Sequence, residues 1–343
     1  MNFFQSAAST TAAAMKKSAV LYHYPCPDGA FAALAAHLYF THCPTVTNPP
    51  PLFFPNTVYS PLRLEDLPLH KIDTAYLLDF VGPPGFIQRL SSNVERVVVL
   101  DHHKTTLEIL DSTAPINENE IKVLDMERSG ATIAYDYFME KLLHVDVSFN
   151  KDFPVAEFQR MRRMFEYIED GDLWRWHLPH SKAFSSGLKD LNLEYDVNLN
   201  PKLFQQLLSL DLDSVIRQGM SSLANKQRLI NEVLKQSEEI ALGGGAFGHC
   251  LAVNADSVYE LRSELGNQLA NKSSEMNLRG IGAIVYRIPE LQNDQLLKIS
   301  LRSVNDEDTT PISQEYGGGG HRNASSFMLS SAEFQQWKVS VNV

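Results

Sequence analysis

The chain has 343 residues, with 30 Lys and Arg against 41 Asp and Glu, and a formal net charge of −11. At roughly 150 residues per domain the length predicts two domains, and 44% hydrophobic with 21% charged residues excludes a largely disordered chain. The acid surplus argues against a sequence-independent grip on long nucleic acid, which needs many phosphate-neutralising cations. A small phosphorylated substrate held by a few local cations stays compatible with it.

The first 15 residues, MNFFQSAASTTAAAM, are rich in Ser, Thr and Ala and lack acids. They read as an unstructured tail, with an organelle address as the alternative. From Ser18 the pattern becomes strand, loop, helix: SAVLY is a short apolar run, HYPCPDG a loop with two prolines, and AFAALAAHLYF a buried helix. TAYLLDF and RVVVLDHH repeat the strand reading and end their apolar runs near Asp79 and at Asp101. Such continuous runs suit strands buried on both faces of a parallel sheet. GPPGFIQRLSSNV between them can hold a short crossover helix, and Ser129 can cap the helix GATIAYDYFMEKLL. Strands alternating with helices predict an α/β first domain.

After Pro201 the chain runs to Ala241 without proline, and apolar residues recur at helical spacing. This predicts a helical linker over residues 196–240, joining domains at 16–195 and 241–343. A second strand-helix series then follows: HCLAVN, YELRSELGNQLA, GAIVYRI, LLKISLRS and EYGGGGHRNASSFML. The expected fold is therefore α/β: a mostly parallel N-terminal sheet with flanking helices, a helical linker, and a smaller C-terminal α/β domain.

Three cysteines, Cys26, Cys43 and Cys250, are too few for a disulfide framework and point to a reducing, cytoplasmic setting. No apolar run approaches the roughly 18–20 residues that span a bilayer, so no membrane partner is expected.

Acids and histidines gather at the predicted carboxyl ends of the strands. His23, Cys26 and Asp28 follow the first, Asp79 ends another, and Asp101, His102 and His103 end a third. In open α/β sheets that edge is where ligands bind, and packing rewards none of the residues in Asp-His-His after VVVL. Carboxylates with imidazoles suit divalent cations such as Mn²⁺.

DHHKT at residues 101–105 resembles the signature of the DHH phosphoesterase superfamily, and GGGGH at 317–321 resembles the glycine-rich motif of its DHH-associated C-terminal domain. HYPCPDG at 23–29, Asp79 and YIEDGDLW at 167–174 stand in the order of the other metal motifs. The resemblance runs from about residue 18 to residue 327. It implies a hydrolase of phosphoric esters using two Mn²⁺ ions, with Mg²⁺ or Zn²⁺ as alternatives. Known activities of the superfamily include exonucleases, oligoribonucleases, cyclic-dinucleotide phosphodiesterases, nucleotide phosphatases and pyrophosphatases.

Carried over by position, the resemblance makes His23, Asp28, Asp79, His102 and Asp170 metal ligands, with Asp172 as the alternative to Asp170. It makes Asp101 the residue that orients the histidines, and His103 a positioning group or general acid at the phosphate. In the second domain Gly318, Gly319, Gly320, His321, Arg322 and Arg302 would grip substrate phosphate, with Arg262 and Lys104 as weaker candidates.

One departure matters. Many members carry a second Asp two residues from the first in the initial motif, whereas Cys26 and Ala30 flank Asp28 here. Cys26 is then either a ligand that softens one site toward Zn²⁺ or an inert buried cysteine.

The expected function is metal-dependent hydrolysis of a phosphomonoester or phosphodiester in a small nucleotide or short oligonucleotide; a homodimer is compatible with it. The alternatives are a catalytically inactive nucleotide- or RNA-binding protein, and a pyrophosphatase or polyphosphatase. His37, His70, His177, His180 and His249 are expected to be structural, and Trp174 and Trp176 to pack beside the acidic motif.

Overall fold

The structure is a computed structural model that describes residues 16–43, 50–57, 60–111, 118–145 and 151–339. The N-terminal segment read as a tail or address lies outside the described residues. The chain divides into two compact units, Met1–Ser222 and Leu223–Val343. It is α/β throughout, as its alternating pattern predicts.

In chain order the first unit contains β1 (Lys17–Tyr24), α1 (Pro27–His42), β2 (Leu52–Thr57), β3 (Ile72–Leu78), α2 (Phe86–Ser91), β4 (Arg96–Asp101), α3 (Lys104–Asp111) and β5 (Glu120–Leu124). It continues with α4 (Gly130–Leu143), α5 (Asp152–Asp172), α6 (Ser181–Asp190), α7 (Leu203–Leu208) and the start of α8 (Leu212–Leu234). The five strands form one parallel sheet in the order β2-β1-β3-β4-β5.

The reason is legible in β4. Val97, Val98, Val99 and Leu100 are all fully buried, because both faces of the sheet are covered. Val98 and Leu100 join the core shared with α1, α4 and α5, while Val97 and Val99 face Phe86, Ile87 and Leu90 of α2. Each such aliphatic side chain contributes about 1.5–3 kcal/mol on burial. Helix α1 is apolar on nearly every face, and Ala32, Ala33, Ala35 and Ala36 are fully buried. It packs on α4 and α5.

Strands β2 and β5 were not anticipated. Both are edge strands: β2 contains Pro55, which an edge tolerates because it needs no second ladder, and β5 carries Glu120 and Lys122. With β1 between β2 and β3, the strand order reverses direction at the β1/β3 junction. Ligand crevices form beyond the strand carboxyl ends at such a point.

The second unit contains the end of α8, then β6 (Glu238–Ala241), β7 (His249–Asn254), α9 (Arg262–Glu275), β8 (Ile281–Tyr286), β9 (Leu296–Ser303), α10 (Thr310–Glu315), β10 (Gly319–His321), β11 (Ala324–Ser330) and α11 (Ser331–Trp337). Its six-stranded sheet has the order β10-β11-β9-β8-β7-β6. The parallel pair, β7 and β8, is joined through α9; the other pairs are antiparallel. Among the described residues no helix is long and apolar enough to cross a membrane.

Candidate metal centre

The β1/β3/β4 edge gathers most of the predicted ligands. Donor atoms of Asp79, Asp101, His102 and His103 lie within 4.8 Å of one another, as do those of His23, Cys26 and Asp79, and those of Asp28, His102 and Asp172. His23 Nδ1 is 3.2 Å from Asp79 Oδ2, and His102 Nε2 is 3.2 Å from Asp79 Oδ1. His102 Nε2 also lies 3.8 Å from Asp28 Oδ2 and 3.5 Å from Asp172 Oδ2. Asp79 thus stands in two of the three donor groups, on a backbone with φ of +65°. A non-glycine residue in that region costs energy and marks a functional constraint.

Two helices reach the same point. Asp28 sits in the first turn of α1, and its Oδ1 accepts a 3.1 Å hydrogen bond from the Ala131 N–H in the first turn of α4. Ser129 occupies the N-cap position expected for it, but its side chain makes no capping bond; the N-terminus of α4 is served by Asp28. Glu169 of α5 accepts from Ser129 N–H and from the Thr132 hydroxyl, fastening α5 beside α4. Gly130 is required by proximity. A Cβ there would lie 2.7 Å from Asp79 Cβ and 2.9 Å from Asp28 Oδ2.

Asp101 is fully buried. Its Oδ1 accepts from His102 N–H at 2.8 Å and from His103 Nδ1 at 2.8 Å, and its Oδ2 accepts from the Thr106 hydroxyl. The carboxylate therefore orients the His103 ring, whose hydrogen bond to Asp101 raises it to about 9 despite partial burial.

The acidic motif at the end of α5 divides in two, between Asp170, the preferred ligand by position, and Asp172, the alternative. Asp170 Oδ1 accepts from His177 N–H at 2.9 Å and Oδ2 from Leu178 N–H at 3.2 Å, so its carboxylate is spent on the following loop. Asp172 is the one that meets Asp28 and His102. Trp174, just beyond it, is 78% exposed.

The cluster fits divalent cations on two observations. Asp28 Oδ2 is buried with no hydrogen-bond partner among the described residues, and the buried Asp79 Oδ1 faces the His102 ring nitrogen at 3.2 Å outside hydrogen-bond geometry, an arrangement that is costly unless a cation compensates. Burial, then Asp79 and Asp172, hold the Asp28 carboxyl well above the usual range, and burial followed by Asp79 raises Asp172. Burial works against Asp79 as well, but His102 and His23 leave it lowered. Crowded carboxylates beside imidazoles are a donor set for such ions. Cys26, largely buried in the same group, has its thiol pushed up by burial and then by Asp79 and Asp28.

The second-unit candidates form their own constellation. His321 pairs with Ala324 across β10 and β11, and Ala324 pairs with Arg302 across β11 and β9. Directly opposed residues share a face, so Arg302 and His321 flank a small alanine in one cross-strand row. Arg322 instead donates to Asp306 O at 2.7 Å, and the Arg262 guanidinium stacks on the Tyr259 ring at 3.5 Å. In the glycine run, a Cβ at Gly318 would lie 2.1 Å from Ser326 O and one at Gly320 2.5 Å from Ala324 O, but one at Gly319 would meet nothing. Sequence reading missed Thr106, whose contact is with Asp101 five residues before it, and Gly130 and Glu169, whose contacts are with distant residues.

No protein-family model matches this chain. It is similar to the uncharacterized protein R106 of Acanthamoeba polyphaga mimivirus, at 26% identity over 329 residues, covering 91% of this chain and 67% of that protein. It is also similar to oligoribonuclease NrnB of Bacillus subtilis (strain 168), at 23% identity over 278 residues and 78% of this chain, although the match spans 62% of that relative's length. Among solved structures, the pGpG-specific phosphodiesterase PggH from Vibrio cholerae aligns over 94% of this chain and 96% of its own, with a TM-score of 0.41 and 12% identity.

Proposed function

We propose that the protein is a DHH-type, metal-dependent phosphoesterase that hydrolyses a phosphate ester of a small nucleotide or short oligonucleotide, with Mn²⁺ as its ion. The observation that carries this is the buried Asp28 Oδ2, without a hydrogen-bond partner, gathered with the buried Asp79 Oδ1 around His102 Nε2. The similarity to an oligoribonuclease over 78% of the chain supports the same class of substrate.

In this reading His23, Asp28, Asp79, His102 and Asp172 hold two cations, with Cys26 beside His23 and Asp79. Divalent cations held there would supply phosphate-charge neutralisation and activation of water for in-line displacement. Asp101 fixes His103 through Nδ1, which leaves Nε2 to hydrogen-bond a phosphate oxygen or to protonate the departing oxygen. Within the second unit, Arg302 offers a guanidinium fork and His321 a ring donor, a pairing suited to an anion such as phosphate. The open space over Gly319 supports that role: no described residue lies within 4 Å of where a Cβ would stand, and an anion can approach its backbone closely.

The test is hydrolysis, with added Mn²⁺, of cyclic dinucleotides, short oligoribonucleotides, nucleoside bisphosphates and pyrophosphate. Nucleotide esters are expected to turn over, with loss of activity in Asp79→Asn, Asp101→Ala and His103→Ala. Nucleotide binding without turnover of any substrate would instead make the protein a sensor.

A further inference from the structure

The cluster residues wall two cavities of the first unit. One, of about 370 Å³, is bounded by His23, Asp79, Asp101 and His103 together with Asn56 and Thr105. The other, of about 610 Å³, begins at Asp28 and Asp172 and is lined mainly by apolar and aromatic groups, including Trp174, Trp176 and Tyr195. Its volume is in the range of small-ligand sites.

The tryptophans are not there for the core. Trp174 is 78% exposed, and Trp174 and Trp176 have φ of +53° and +55°. Bulky residues rarely adopt this left-handed region, which costs energy each time. The loop enforces it: Trp174 N–H donates to Gly171 O, and Arg175 and Trp176 N–H both donate to Asp170 O. The Asp170 carboxylate closes the loop by accepting from His177 and Leu178 N–H. Trp176 meets Trp174 edge-on, with ring centroids 5.6 Å apart. Strain is thus spent to hold an indole in water at the rim of a cavity that starts at two metal-centre carboxylates. Beyond the edge contact with Trp176, the indole stays largely open to solvent, where a flat aromatic ligand can stack on it.

We propose that this cavity is a nucleoside subsite, in which Trp174 stacks on the base of a nucleotide whose phosphate lies at the Asp28–Asp172 side. The proposal rests on the phosphoesterase reading and narrows its substrate to short oligonucleotides that carry a base beside the scissile phosphate. Pyrophosphate and polyphosphate would leave the aromatic wall unused. Stacking is tolerant of sequence because every base has a π-face, so the subsite selects for a base without choosing which. Lys189, in the same lining, offers a cation to a flanking phosphate.

The test compares binding, by calorimetry with Mn²⁺, of a phosphorothioate-linked diadenylate and of the same backbone with two abasic riboses. The wild type is expected to prefer the diadenylate by about tenfold or more, with Trp174→Phe retaining most of the preference and Trp174→Ala abolishing it. The exposure of Trp174 makes these variants compatible with folding, which a thermal melt checks. Equal binding of the two ligands to the wild type, no measurable diadenylate binding, or an undiminished preference in Trp174→Ala would each overturn the subsite. A parallel assay of diadenylate hydrolysis separates the two readings. Base preference without turnover refutes the phosphoesterase alone, and turnover with KM unchanged in Trp174→Ala refutes the subsite alone.

Discussion

Asp28 accepts a hydrogen bond from the backbone N–H of Ala131, 103 positions further along the chain, while its other oxygen lies buried without a partner. One carboxylate thus joins α1 to the start of α4 and offers a charge to the metal centre. Asp28→Asn keeps the acceptor and removes the repulsion from Asp79 and Asp172. In EDTA it should unfold no earlier than the wild type, and Asp28→Ala should fall below it by about 1 kcal/mol for the lost cap. At a hundredfold excess of Mn²⁺ over its dissociation constant the wild type should gain about 2.7 kcal/mol, and both variants far less. Thermal unfolding with and without Mn²⁺ measures this; an Asn variant less stable than wild type in EDTA contradicts it.

Gly130 lies so close to the carboxylates that one methyl group disturbs both. The Cβ of Gly130→Ala would sit 2.8 Å from Asp79 Oδ1 and 2.9 Å from Asp28 Oδ2, among buried atoms with little room to move. The expected cost is about 1–3 kcal/mol of stability, the usual range for overpacking, together with weaker Mn²⁺ binding. Denaturant unfolding and metal titration read the two effects separately.

Asp170 and Asp172 should behave differently although they are two residues apart. Asp172→Ala is expected to lower Mn²⁺ binding with little change in metal-free stability. Asp170→Ala strips the acceptor from two backbone N–H groups, and should cost about 1–3 kcal/mol while leaving the metal donors in place. Burial opposes ionisation of Asp170, but the nearby Ser181 hydroxyl and the N–H groups of His177 and Leu178 outweigh it and depress its pKa. Its contribution is therefore present above the ordinary carboxylate value of about 4 and is lost as pH falls through the depressed one. A shallower acid-side stability slope in Asp170→Asn than in the wild type checks the sign.

Cys26 shares a donor group with His23 and Asp79. Cys26→Asp replaces a soft donor with a hard one, and should shift metal content after purification from Zn²⁺ toward Mn²⁺. Metal analysis of the two proteins side by side decides it. Identical content would leave Cys26 as a buried cysteine of the α1 N-terminus.

The parallel sheet and the edge where the centre forms were readable in the sequence for one reason. A strand buried on both faces is written as an unbroken apolar run, as in RVVVL, and polar residues that end it have no packing purpose. Asp79, Asp101, His102 and His103 stand out on that ground alone. The glycine run before His321 stands out because so many glycines together disfavour regular structure. Edge strands lack that clarity: β2 carries Pro55 and Asn56, and β5 alternates charged with apolar residues.

Which member of the EDGD motif faces the centre was beyond the sequence. Residues two apart on a helix point about 200° from each other, so the choice depends on how α5 is rotated against its neighbours. That rotation is set by contacts such as Glu169 with Ser129 and Thr132, between segments that no local pattern relates. The cap of α4 by Asp28 and the exposure of Trp174 have the same origin. Local chemistry could name the residue types able to bind metal and phosphate; only the packing of distant helices decided which oxygen points inward and which indole is left facing water.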